Sequence, residues 1–184
     1  MTAPRLEIDL EKKLHNATTL VERLRDRRIS VTAITKAMLG APELARVLLQ
    51  AGVSGLGDAR IENIEAMRDA GISAPMTLIR SPMLSQSKRV VINADVSFNT
   101  ENDVIKSLSV AAQEEKVTHG VVFMIELGDL REGIMPDDVR SVVEKVLRYP
   151  NIVIIGVGAN LACRSGVSPD DRNMAQLNDS VRMT

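Results

Sequence analysis

Lys36 closes the apolar run Val31-Thr-Ala-Ile-Thr35 and is followed by Ala37-Met-Leu-Gly40. A primary amine in that place can do covalent chemistry. Val, Thr and Ile favour a buried, extended segment, and Gly40-Ala-Pro42 breaks it before a helix with proline in its first turn. As one strand of a βα series, the run puts Lys36 at the carboxyl end of a sheet, where such folds carry their reactive groups. Desolvation there favours the neutral amine, which can form a Schiff base with a carbonyl compound. The position also suits a lysine that only ends a strand and reaches solvent. Asp58, Arg80, Asn99, Glu126 and Asn160 each lie at or just beyond the carboxyl end of another apolar run.

The elements that must position these residues can be taken in order. The alternation Leu6-Glu-Ile-Asp-Leu10 predicts a short strand. Leu14, Ala17, Val21 and Leu24 predict a helix within 11–28. After the lysine strand come a helix near 42–51 and a strand at 53–57 that runs into Asp58. Ile61, Ile64 and Met67 mark a short helix. Strands are then expected at 76–80, 95–99, 120–127 and 151–156, with helices at 84–93, 100–115, 137–148 and 169–182. Thr100 is a suitable helix cap. Apolar strands that alternate with helices imply a parallel sheet. An open doubly wound sheet and a barrel both fit. Polar groups at the ends of every successive strand favour the barrel, since an open sheet gathers them near one switch point. The expected fold is therefore α/β, a TIM-barrel-like parallel βα repeat.

Composition excludes several classes of function. The chain has 184 residues, 45% hydrophobic and 26% charged, as a single soluble globular domain would. A net charge of -1 and 2% aromatic content without tryptophan argue against nucleic acid and anionic membranes as partners. Cys163 is the single cysteine, so no internal disulfide forms, and it reads as a small buried filler. No apolar run reaches transmembrane length and Met1-Thr-Ala-Pro-Arg5 lacks a signal-peptide core, so the cytoplasm is the expected compartment. Gly156-Val-Gly158-Ala-Asn-Leu161 approaches a dinucleotide fingerprint, but Leu161 replaces its third glycine. His15 falls in a helix and His119 precedes a strand, away from the chemistry, and no metal site is expected.

The series Leu6-Glu-Ile-Asp-Leu10, His15-Asn16 and Thr35-Lys36-Ala37 resembles the start of the alanine racemase N-terminal family. Leu56-Gly-Asp-Ala-Arg60-Ile-Glu-Asn63, Leu78-Ile-Arg80-Ser-Pro82, Gly128-Asp-Leu-Arg131-Glu-Gly133 and Asn160-Leu-Ala-Cys163 are similar to its alanine/ornithine racemase-like branch. The resemblance implies a barrel that binds pyridoxal 5'-phosphate (PLP) through Lys36, and an amino acid as the small-molecule partner. Lys36 would also be the catalytic residue, as one base for removal of the substrate's Cα proton. Arg131 matches an arginine near the cofactor and the substrate carboxylate, Asp58 would support the ring, and Asn160 stands where the family often has histidine. Two nearer-to-structural readings stay open: Arg131 paired with Glu132 or Asp129, and Asp58 as a helix cap.

A full barrel of this kind needs about 250 residues, so the resemblance implies one PLP-binding barrel domain over 1–184, without the last two βα units or the family's C-terminal β domain. That β domain usually supplies the second base, a role that Tyr149 cannot be assigned. The function implied is a PLP-dependent amino-acid racemase or an N-terminal fragment of one. A non-catalytic PLP-binding homeostasis barrel and an inactive fragment are the alternatives. The apolar edges at 31–35 and 152–156 imply a homo-oligomer.

Overall fold

The computed structural model describes residues 7–161 and 166–183. Helix α1 spans Leu10–Arg25, and Asp9 caps it by accepting a hydrogen bond from Lys12 N at 3.0 Å. The strand expected at 6–10 does not form in its described part: residues 7–9 carry no regular structure and Leu10 is already helical. An acceptor for an orphan helix donor outweighs a short alternation.

The remaining elements are β1 (Thr32–Ile34), α2 (Pro42–Gln50), β2 (Gly55–Asp58), α3 (Ile61–Asp69), β3 (Met76–Leu78), α4 (Ser87–Asn93), β4 (Val96–Asn99), α5 (Asn102–Glu114), β5 (His119–Ile125), α6 (Val139–Val146), β6 (Ile152–Ala159) and α7 (Asp171–Val181). This is the expected alternation of strand and helix, with ends moved by a few residues. Short 3-10 turns at Leu84–Gln86 and Pro136–Asp138 open the stretches expected to be wholly α-helical. Thr100 is not the cap of α5. Glu101 holds that position, and the Thr100 hydroxyl lies 3.4 Å from that of Ser81.

The chain divides into two compact units. The first comprises the described residues up to Asp58 together with Glu62–Met76; the second comprises Ala59–Ile61 and the described residues from Thr77 onward. In the first, β1 and β2 run parallel with Ala33 opposite Leu56, and Leu44, Ala45, Leu56, Ile64 and Met67 are buried. In the second, β4 pairs in parallel with β3 and β5, and β5 with β6. The β5–β6 register slips once: Val121 faces Ile154, whereas Val122 faces Gly156.

The core of the second unit packs Val121, Phe123 and Ile125 of β5 against Ile105 of α5 and Val139, Val143 and Val146 of α6. The i, i+4, i+7 spacing of those valines gives one helix face. Each such buried side chain is worth roughly 1.5–3 kcal/mol, so this layer, rather than the loops, holds the strands in place. Among the described residues no helix is long and apolar enough to cross a membrane.

Candidate functional site

Lys36 follows β1 directly and opens a 3-10 turn over Lys36–Met38. The backbone there is tightly fixed. Thr35 N donates to Gly57 O at 2.9 Å, and Met38 N donates to Thr35 O at 2.9 Å. Leu39 and Gly40 both take left-handed φ, 51° and 68°. A Cβ on Gly40 would lie 2.7 Å from Asn63 Cβ and 2.9 Å from Asn63 O, so the close approach of this turn to α3 requires glycine. The turn therefore leaves the strand in one direction, and Lys36 is presented to solvent. Its position alone suggested desolvation; the exposed side chain shows that the protein by itself supplies none.

Thr35 and Asp58 lie below it, both fully buried. Thr35 Oγ1 donates to Asp58 Oδ2 at 2.7 Å and lies 3.2 Å from Gly57 O. Asn63 Nδ2 donates to Asp58 Oδ1 at 2.9 Å. Both carboxyl oxygens of Asp58 are thus engaged by neighbours of Lys36 and by α3. Asp58 sits beneath the lysine turn as its support. Sequence reasoning passed over Thr35; the available signal was a hydroxyl one residue before the amine, at the end of a buried strand.

Arg131 and Asn160 belong to the second unit. The loop after β5 folds back on its own strand: Glu126 N donates to Ile134 O at 2.9 Å, and Ile134 N to Met124 O at 2.7 Å. Glu126 Oε1 accepts from Gly128 N at 2.6 Å and from Leu130 N at 3.1 Å. A Cβ on Gly133 would lie 2.5 Å from Glu126 N, so the fold-back needs glycine there. Arg131 is carried on this rigid loop, partly buried, with Nη2 at 3.0 Å from Glu132 Oε1. Asn160 follows β6, and its Nδ2 is buried without a hydrogen-bond partner among the described residues.

The other strand-end residues have different tasks. Asn99 is buried and donates to Ser97 O and Oγ, both at 2.9 Å. It shares the face of β4 that lies opposite Val121 and Phe123, the side packed under α5 and α6. Arg80 is exposed and forms no ion pair among the described residues. Tyr149 donates its hydroxyl to Asn102 at 3.0 Å, tying the end of α6 to the start of α5. Cys163 lies outside the described residues.

Residues 8–184 match the family described as alanine racemase, N-terminal domain. The chain belongs to that family. It is 36% identical over 169 residues to a lysine racemase of Thermotoga maritima, covering 92% of this chain and 47% of that protein. It is 32% identical over 177 residues to an ornithine racemase of Acetoanaerobium sticklandii, covering 96% and 50%. The chain thus spans about half the length of these curated relatives. An alanine racemase structure from E. faecalis superposes with a TM-score of 0.80 at 18% identity, over 96% of this chain and 49% of that one. PipY of Synechococcus elongatus, solved with PLP bound, gives 0.74 at 14% identity, over 90% and 80%. The fold is accordingly the TIM-barrel-like one of the alanine racemases. Members of this family use PLP, and the residues present fit it. The exposed amine of Lys36, at the end of β1, is the group that an aldehyde would engage.

Proposed function

We propose that this chain is the lysine-bearing part of a PLP-dependent amino-acid racemase acting on a basic amino acid of the lysine or ornithine class. The observation that supports it is Lys36, at the carboxyl end of β1 on a turn locked by Thr35, Asp58 and Gly40, in a chain of the racemase family. When bound, PLP supplies an aldehyde for a lysine amine and a ring that draws electron density from the substrate's Cα. Lys36 Nζ holds the cofactor and, once freed, takes or returns the proton on one face of Cα. Asp58 acts through Thr35 to aim that amine. The family resemblance carries Arg131 to the substrate carboxylate and Asn160 to the cofactor. The similarity to racemases of lysine and ornithine supports the substrate class.

Borohydride reduction of the chain mixed with PLP, followed by peptide mapping, tests the assignment. The pyridoxyl label is expected on Lys36; label on another lysine instead would overturn it. A racemase assay over lysine, ornithine and alanine then distinguishes this reading from a barrel that holds PLP without turnover. We take this 184-residue chain to associate with copies of itself, because Val153 and Ile155 of β6 are exposed, at 46% and 57%. Light scattering over a concentration series should show association, and a persistent monomer would refute it.

A further inference from the structure

The end of the first unit opposite Lys36 carries its own group of unused donors. Where β1 and β2 begin, a cavity of about 250 Å³ is bounded by Arg25, Arg28, Ser30 and Ser54. Val21, Ile29 and Val31 form its apolar wall, and no carboxylate lines it. Arg25 and Arg28 form no ion pair or side-chain hydrogen bond among the described residues, and the two serine hydroxyls form none either. Nor are the guanidiniums needed to satisfy the nearby helix ends. Leu24 O accepts from Arg27 N at 3.0 Å and from Ile29 N at 3.2 Å, and Arg25 O accepts from Arg28 N at 2.9 Å. At the end of α2, Leu49 O accepts from Gly52 N at 3.0 Å.

Arg28 also closes α1. Its φ is +59°, and the bonds from Ile29 N to Leu24 O and from Arg28 N to Arg25 O make it the left-handed residue of that turn. Glycine is the relaxed choice at that position, because a side chain strains the backbone there. Lys116 closes α5 in the same way, with φ +56°, so it is the place of Arg28 on the cavity, and not its backbone, that bears on a ligand. Two guanidiniums and two hydroxyls suit a dianion that can take more than one fork, whereas a carboxylate is satisfied by one. The cavity matches the volume of on the order of eight waters, which leaves room beside the apolar wall for a small organic group.

We infer that this pocket is a second binding site, for a small phosphate monoester. It lies at the opposite end of β1 from Lys36 and does not depend on the racemase reading. Isothermal titration calorimetry of the 184-residue chain with phenyl phosphate and with benzoate, at constant low ionic strength, tests it. Phenyl phosphate has no aldehyde, so Lys36 chemistry is not engaged. One phenyl phosphate per chain is expected, with benzoate roughly tenfold weaker or less. Arg28→Gly relaxes the turn, so its thermal midpoint should hold or rise while affinity falls by roughly tenfold or more. Arg25→Ala should lose a similar factor, and Lys36→Ala none. Undiminished affinity in both arginine variants, benzoate binding as tightly as phenyl phosphate, or no binding by the parent chain at millimolar ester would overturn the site.

Discussion

In the first unit Asp58 is buried with Thr35 on one carboxyl oxygen and Asn63 on the other. In the second, His119 is buried with Ser97 Oγ at 2.8 Å from Nε2, and Asn99 donates to that same hydroxyl. Ser97 therefore accepts from Asn99 and is free to donate to the unprotonated Nε2 of a neutral ring, a proton placement that follows from the bonding pattern. Burial pushes the His119 pKa down to about 4, against the opposing pull of the Ala94 carbonyl and the Asp95 charge. The first network satisfies both oxygens of its buried carboxylate, whereas the second leaves Asn99 Oδ1 buried without a hydrogen bond among the described residues. Only the first has an exposed amine on the adjoining residue. A buried polar network serves chemistry when the backbone it fixes carries a reactive group; otherwise it serves the pairing of its strands.

The largest effect is expected at Lys36. Lys36→Ala should abolish the borohydride-trapped label, yet change stability by less than about 0.5 kcal/mol, because the side chain is exposed. A surviving label, located by peptide mapping, would separate the Thr35–Asp58 network from the chemistry.

The His119 network should report itself through pH. A folded pKa of about 4, below the ordinary histidine value of 6.5, means that the unfolded chain binds more protons between those values. The contribution is therefore fully present above pH 6.5 and is lost as pH falls toward 4. It amounts to about 3 kcal/mol. Urea midpoints from pH 7 to pH 4 should fall less steeply in His119→Gln than in the parent.

Thr35→Val keeps the shape of the side chain but takes a donor from buried Asp58, a loss of about 2 kcal/mol. It should also slow trapping at Lys36, with recovery in Thr35→Ser. Unchanged trapping in a destabilised Thr35→Val would make the network purely structural.

Ser97→Ala is the matched control and the smallest effect, about 1 kcal/mol. Asn99 keeps its bond to Ser97 O. Trapping at Lys36 should not change, as judged by label yield. A loss as large as that of Thr35→Val would erase the contrast between the two networks.

Much of this was legible in the residues. The alternation of apolar runs with helical periodicity located β1 to β6 and α2 to α7, because period two and period 3.6 are local properties of the chain. The family motifs led to Lys36 for the same reason: it is read in the context of its immediate neighbours. Legibility failed where two local signals competed. Asp9 was taken as part of an alternating strand although its side chain caps α1, and Thr100 was given a role that Glu101 fills.

The sequence by itself determined the order of the elements, the family and the lysine at the end of β1, since each depends on residues adjacent in the chain. The tertiary structure alone decided where the strand-end polar groups turn. Asp58 and Asn99 look alike in sequence, yet Asp58 bonds the residue before Lys36, 23 positions away, and Asn99 joins a network with Ser97 and a histidine at the start of the next strand. It also decided that Gly40 and Gly133 are obligatory, because the atoms that forbid a Cβ there belong to Asn63 and Glu126. The physical reason is that a buried polar group must find its partner in space, and packing selects that partner regardless of sequence distance.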